Sequence, residues 1–220
     1  MAYRVRVWDL PTRLFHWLLA ACVIALVATA KAGAMVWHER LGYAVLTLLL
    51  FRLGWGVVGG HWSRFSSFLY APGSVVAYLR GRAHPDHVIG HTPLGAASVF
   101  AMLLVLAVQV GTGLVSDDEI AFTGPLNRFI STDAGLAATS YHRSIGQWLV
   151  IGLVLLHLAA IAWYGWRKRQ NLVRPMLAGD KEVAAQARSS RDDTVTRISA
   201  ALLLAACGAV TWWIIGLGTG

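Results

Sequence analysis

Among the 220 residues of the sequence are eight histidines, and imidazole is the commonest protein ligand for metals. Four of them, His16, His38, His142 and His157, sit at or inside long apolar runs. An ionisable side chain in such surroundings faces a bundle interior, a cavity or a partner, and is a functional candidate for that reason. His142 and His157 are 15 residues apart. On a helix that is about 22 Å of rise and about 60° of net rotation, so the two face broadly one way at different depths. His38 opens one apolar run and His16 opens another. By depth the four sort into His38 with His142 and His16 with His157, each pair drawn from two helices. A planar porphyrin held between two axial imidazoles needs one ligand from each of two facing helices. The expected chemistry is bis-histidine ligation of two haems, one toward each face of a membrane.

The other histidines divide differently. His91 opens a further apolar run on the same side as His16 and His157. It competes with either as a ligand, or bonds a haem propionate or a quinone. His61, His84 and His87 fall among Arg64, Arg80, Arg82 and Asp86 in a polar connection and are assigned no chemistry. His38, His91 and His142 are each followed four residues later by glycine, at Gly42, Gly95 and Gly146. That spacing puts both residues on one helix face, where a missing side chain leaves room for a flat ring or for close helix packing. Guanidinium groups pair bidentately with carboxylates. Arg13 and Arg52 are therefore candidate propionate partners at the inner level, with Arg40 and Arg143 at the outer.

The elements that position these groups are five low-charge stretches, at residues 14–30, 41–58, 92–116, 144–166 and 198–220. Each is long enough to cross an apolar core of about 30 Å, the shorter ones with flanking residues. With 56% hydrophobic and only 14% charged residues, the fold class is all-α, an integral membrane helical bundle. The net charge of +8 is distributed for a membrane and not for nucleic acid. Arg4, Arg6, Arg13, Arg64, Arg80, Arg82 and the eight basic residues from Arg167 to Arg197 share one side, while Lys31, Arg40, Arg128 and Arg143 lie on the other. The positive-inside rule puts the N-terminus in the cytoplasm and, after five spans, the C-terminus outside. The basic start and small residues near Ala30 also fit a cleaved signal peptide, but the pairing of His16 with the other histidines favours a retained span. Cys22 and Cys207 both lie in apolar runs and offer neither a disulfide framework nor a metal site.

Two connections complete the layout. Residues 63–82 mix aromatic and aliphatic residues with polar ones and read as a segment lying on the inner interface. Residues 116–140 form a long acidic loop with Pro125 as a break, placed to cap the outer haem and dock a partner or simply to be solvated.

The segments Val7-Trp-Asp-Leu-Pro-Thr-Arg-Leu-Phe-His-Trp17, His38-Glu-Arg-Leu-Gly-Tyr43 running to Leu50-Phe-Arg-Leu-Gly-Trp55, His91-Thr-Pro-Leu-Gly95, Tyr141-His-Arg143, Leu156-His157 and Asn171-Leu-Val-Arg-Pro-Met176 together resemble the bacterial two-haem cytochrome b family. That family includes the membrane cytochrome b subunits of nickel-iron hydrogenases. The resemblance covers the chain to about Gly179. It implies a four-helix haem-binding domain over residues 1–179, leaving 180–220 as a cytoplasmic linker and an additional transmembrane helix. It also implies two haem b groups on His16, His38, His142 and His157. The implied role is electron transfer, in the bacterial inner membrane, between the quinone pool and a periplasmic redox partner such as a hydrogenase or cytochrome c. The chain is then a non-catalytic electron-transfer subunit of a respiratory oxidoreductase. A quinone-linked enzyme acting directly on a small molecule such as superoxide is the alternative. A haem-free transporter or proton pathway lacks the internal repeats such proteins show.

Overall fold

The computed structural model describes residues 3–82, 87, 89–120 and 122–218; His84 and Asp86 lie outside the described residues. Five stretches are helices long and apolar enough to cross a membrane. They are α1 (Leu10–Lys31), α2 (Met35–Val58), α4 (Pro93–Val115), the run Thr132–Arg167 and α8 (Thr194–Gly216). The fourth run is composite: α5 (Thr132–Tyr141), a π-helical turn (His142–Gly146) and α6 (Gln147–Arg167). Two short helices, α3 (Pro72–Leu79) and α7 (Val173–Ala178), and two strands, β1 (Tyr3–Arg6) and β2 (Asp180–Val183), complete the elements. Large apolar side chains along the spans, among them Ile24, Leu104, Leu155, Leu202 and Trp212, point outward. Helices that show Leu and Trp to their surroundings have lipid as solvent. This is a multi-pass helical membrane protein.

Chain contacts define two compact units, each assembled from segments of the same long helices. The first comprises Met1–Trp17, Arg52–Ala101 and Leu156–Leu203. Its centre is the carboxylate of Asp9, which is wholly buried. Asp9 is the N-cap of α1: Oδ1 accepts the Thr12 N–H at 2.8 Å, and Pro11 sits in the first turn, where its missing N–H costs nothing. The same carboxylate accepts from Trp55 Nε1 (3.2 Å), Gly60 N (3.2 Å) and Ser63 Oγ (2.7 Å). It thereby ties the start of α1 to the end of α2. A Cβ on Gly60 would collide with Asp9 Oδ2, so the chain can pass this close to the carboxylate there only with glycine.

β1 pairs antiparallel with β2, Tyr3 opposite Val183 and Arg6 opposite Asp180. Arg6 and Arg13 converge with Arg197 on Asp192. The turn into β2 uses Gly179 at φ 89°, a left-handed conformation that glycine adopts without strain. Its carbonyl accepts both Val7 N and Trp8 N. A small core of Val5, Val7, Trp8, Trp62 and Ile89 lies against this strand pair.

The second unit comprises Leu18–Phe51, Met102–Leu155 and Leu204–Gly220. Its core is Val45, Leu49, Leu106 and Val150, with Leu19, Val23 and Leu26 packed on it. α1 ends at Gly33 (φ 69°), where Ala34 N bonds Thr29 O and Gly33 N bonds Ala30 O, the paired closing bonds of a left-handed helix cap. The connection after α4 folds back onto that helix. Gly124 N, Leu126 N and Asn127 Nδ2 donate to the carbonyls of Ser116, Leu114 and Val115, which the helix end leaves without intrahelical donors.

Three features depart from the sequence reading. The linker after Gly179 carries a strand, because four residues on either side of the spans suffice for pairing once Gly179 turns the chain. The long acidic connection is shorter than expected, since Thr132–Tyr141 is helical and runs on into the fourth span, capped by Ser131. α2 starts at Met35, so His38 lies within its first turn. The interfacial reading of residues 63–82 fits the two 3-10 turns His61–Ser63 and Phe65–Ser67 and the short α3, whose Val76 and Leu79 are exposed.

Removing the hub tests its weight. Asp9→Ala deprives a helix N-terminus and three buried donors of their acceptor, and is expected to cost about 3 kcal/mol. The thermal unfolding midpoint of the purified chain in detergent should fall by several degrees, with Asp9→Asn falling less.

Candidate functional site

The first histidine pair lies in the second unit. The rings of His38 (α2) and His142 (the π turn) have centroids 6.1 Å apart, nearly perpendicular at 84°. His38 Nδ1 is 3.0 Å from Leu26 O on α1, and His142 Nδ1 is 2.8 Å from Gln109 O on α4. A carbonyl only accepts, so each Nδ1 carries the proton and each Nε2 keeps its lone pair. The two supports are built alike. Thr29 Oγ1 donates to Leu26 O and Thr112 Oγ1 donates to Gln109 O, a threonine three residues on sharing the carbonyl that holds the imidazole.

At the π turn the His142 carbonyl also accepts Gln109 Nε2 from α4 at 3.0 Å. π turns of this kind recur at functional sites. A cavity of about 490 Å³ opens beside the pair, lined among others by Lys31, Glu39, Gly42, Gly113 and Arg143. That falls within the usual range for cofactor sites.

The second pair lies in the first unit. His16 (α1) and His157 (α6) have ring centroids 6.3 Å apart at 54°. His16 Nδ1 is buried without a hydrogen-bond partner among the described residues. Two metal–nitrogen bonds of about 2 Å, plus about 1.1 Å from each ring centre to its nitrogen, separate coaxial imidazoles by about 6.2 Å. Both pairs are at that separation. Among the described residues no three His, Cys, Asp or Glu side chains group as ligands for a bare ion. Two imidazoles alone suit a macrocycle that brings its own equatorial nitrogens. The donor sets therefore fit haem.

His91 is enclosed by the rings of Trp8 (centroids 4.7 Å) and Phe68 (4.4 Å), with its Nδ1 buried and unpartnered among the described residues. Burial first, then the Arg52 guanidinium and His16, pushes this imidazole down to about 3, so it is neutral at any physiological pH. Arg52 is buried within α2, stacked over Phe65 at 4.5 Å, with Nη1 unpartnered among the described residues. A buried cation with an unused donor is poised for an anion. Arg13 is engaged by Leu177 O and Asp192, which anchors α7 to α1. Arg143 lines the cavity and is exposed. Arg40 stacks on Trp37 at 5.2 Å.

Of the three His-x-x-x-Gly pairs, only Gly42 faces open space. The space at Gly146 is taken by the Gln109 side chain, and that at Gly95 by Thr92 Oγ1, which caps α4. Gly113 is the glycine that makes room for a ring, since a Cβ there would lie 3.1 Å from His142 Cε1. Sequence reasoning passed over Gly113, Gln109, Thr29, Thr112 and Lys31. A weak signal existed in the shared spacing Leu26-x-x-Thr29 and Gln109-x-x-Thr112, which reads as ordinary helix until the imidazoles are seen beside it.

Paired imidazoles on membrane-length helices, one pair with its tautomers fixed by backbone carbonyls, suit a multi-pass membrane cytochrome of b type. Residues 7–179 match the family described as prokaryotic cytochrome b561, and the chain belongs to that family. It is 25% identical over 208 residues to the probable Ni/Fe-hydrogenase B-type cytochrome subunit of Cupriavidus necator, covering 79% of this chain and 85% of that one. The probable subunit of the same name from Bradyrhizobium diazoefficiens is 22% identical over 216 residues (81% and 86%). The probable Ni/Fe-hydrogenase 1 B-type cytochrome subunit of Escherichia coli is 24% identical over 191 residues (69% and 80%). No solved structure matches. Membership makes this a b-type cytochrome, a membrane electron-transfer protein whose redox group is haem b.

Glycine at 113 then has a measurable consequence. Gly113→Val pushes on the His142 ring and should lower the haem content per chain, read by pyridine haemochrome. Gly111→Val, where a Cβ meets nothing within 4 Å, should leave it unchanged.

Proposed function

We propose that this chain is a di-haem electron-transfer subunit that carries electrons across the bacterial inner membrane between the quinone pool and a periplasmic redox partner. The observation that carries this reading is the pair of imidazole separations, 6.1 and 6.3 Å, one in each compact unit. His38 and His142 hold the outer haem b, and His16 and His157 hold the inner one. Bound there, haem would supply a one-electron iron couple and, with two histidines to hold it, would have no place for a gas.

The remaining work belongs to the chain. Leu26 O and Gln109 O keep Nδ1 protonated and so make Nε2 of His38 and His142 the better donor. Arg52 offers its unused guanidinium edge to a propionate at the inner level, and Arg143 with Lys31 does so at the outer. Arg13 and Arg40, already engaged by other groups, serve mainly to position α1 and the start of α2. His91, neutral and shielded by Trp8 and Phe68, is placed to hydrogen-bond a propionate or a quinone. The excess of Lys and Arg in the connections on one side gives a cytoplasmic N-terminus and a periplasmic C-terminus. The relatives' names support a hydrogenase as partner. The family match ends at residue 179, consistent with 180–220 as an addition to a four-helix haem domain.

The test is a haem count with visible spectra on the purified wild type and on His16→Ala, His38→Ala, His142→Ala and His157→Ala. Two b haems per chain, with one lost in each variant, are expected. Retention of both haems in the His16 or His157 variant would transfer that ligand role to His91. A single haem in wild type would end the di-haem reading.

The buried arginine makes a separate expectation. Arg52→Gln should keep both haems but shift the reduction midpoint of one downward, since a cation near a propionate favours the electron-rich state. Potentiometric titration reads it.

A further inference from the structure

Where α2 ends and α8 begins, within the first compact unit, a second cavity of about 230 Å³ is lined by Arg64, Arg188, Arg191 and His61 and by no carboxylate. Arg64 is anchored through Nε to Gly59 O at 2.8 Å, which leaves its two terminal nitrogens for other partners. Arg191 is held by Asp193, just outside the lining, at 2.8 Å. The Asp9 carboxylate stands behind the lining residues Trp55 and Gly60. Three guanidinium groups against these two carboxylates still leave a concave site with net positive charge.

Its apolar wall continues beyond the cavity. Val58 and Val195 belong to the lining. Ile198 and Leu202 follow Val195 at spacings of three and seven on the same face of α8, and all four side chains are exposed. A cationic pocket at the end of a span, leading into an exposed aliphatic track down that span, matches a phosphodiester headgroup joined to acyl chains. Basic pockets between transmembrane helices hold anionic headgroups in this way.

We propose that this cavity is a binding site for an anionic glycerophospholipid of the phosphatidylglycerol class. Arg188, together with Arg64 and Arg191, contacts the phosphodiester, and the Val195–Ile198–Leu202 face carries an acyl chain. The apolar track is what selects a lipid over free phosphate, which would gain nothing from it. Arg188, Arg191 and the α8 residues lie beyond residue 179, outside the part of the chain that matches the family. The fifth helix and its linker thus have a job of their own: they complete a lipid site. The inference rests only on the membrane fold and stands or falls separately from the haem assignments.

The experiment is native mass spectrometry of the full-length, haem-loaded chain with phosphatidylglycerol or phosphatidylcholine of identical acyl chains. Retention of phosphatidylglycerol is expected to exceed that of phosphatidylcholine about tenfold, and Arg188→Gln/Arg191→Gln should remove most of that preference. Arg80→Gln/Arg82→Gln, exposed cations outside the cavity, should preserve it. Equal retention of the two lipids by wild type overturns the proposal without any variant. So does an unchanged preference in the Arg188→Gln/Arg191→Gln protein. Displacement of the lipid by equimolar inorganic phosphate would make this a free-anion site and overturn the lipid assignment. The visible spectrum, unchanged in all variants, separates these outcomes from a failure of the haem reading.

Discussion

A carboxylate with no exposed surface inside a membrane protein is tolerable only if every lone pair is answered, and Asp9 is answered by four donors from three segments. That requirement fixes more than a helix cap. It sets where α1 starts, and therefore how far along the helix His16 lies. It brings the Gly59-Gly60 turn against the same group, and with it the end of the helix that carries Arg52. Thr12 and Ser63 share a hydrogen bond of 2.7 Å beside it, so the hub extends into the first turn of one span and the connection after the other. In the second unit a comparable role falls to two carbonyls. Leu26 O and Gln109 O each hold an imidazole and a threonine hydroxyl, and so choose which nitrogen of each histidine is available.

The two histidine pairs are therefore not equally supported. The His38 and His142 rings are each oriented by a carbonyl of a helix that carries neither of them, α1 in one case and α4 in the other. His16 has no such partner on Nδ1 among the described residues. Imidazoles whose second nitrogen donates to a carbonyl are more basic ligands and less free to turn. The surroundings of the two pairs accordingly differ in field as well. A buried guanidinium stands in the first unit and exposed cations line the cavity of the second, a difference in environment of the sort that separates redox potentials.

Much of this was legible in the sequence because apolar length and histidine depth are strong, local signals. The five spans and the sorting of His16, His38, His142 and His157 into two cross-helix pairs needed only helical rise and the order of the runs. The π turn was not legible, since nothing in His142–Gly146 marks the extra residue in the turn. Nor was Gln109, a polar residue in an apolar run whose purpose is visible only once its side chain is seen to reach the His142 carbonyl. The strand pair β1–β2 escaped because four-residue strands carry too little alternation to register beside 23-residue helices. Its partner segments are also nearly the full chain apart. The glycine reading was half right in kind: small residues do clear space at the imidazoles, but Gly113 on a neighbouring helix does so for His142, while Gly146 accommodates Gln109.

That separation between β1 and β2 has a consequence for how the protein comes into being. Tyr3 to Arg6 emerge first, yet their partners Asp180 to Val183 are about 175 residues later in the chain. At a synthesis rate of about 5–20 residues per second the N-terminal strand waits roughly 10 to 35 s for them. Asp192, which gathers Arg6, Arg13 and Arg197, arrives later still. The first unit is thus closed by segments made long after those they close upon. Until then the end of α1 that bears His16 has its cap but not its clasp, because the strand pair and the ion pairs to Asp192 wait on segments made far later.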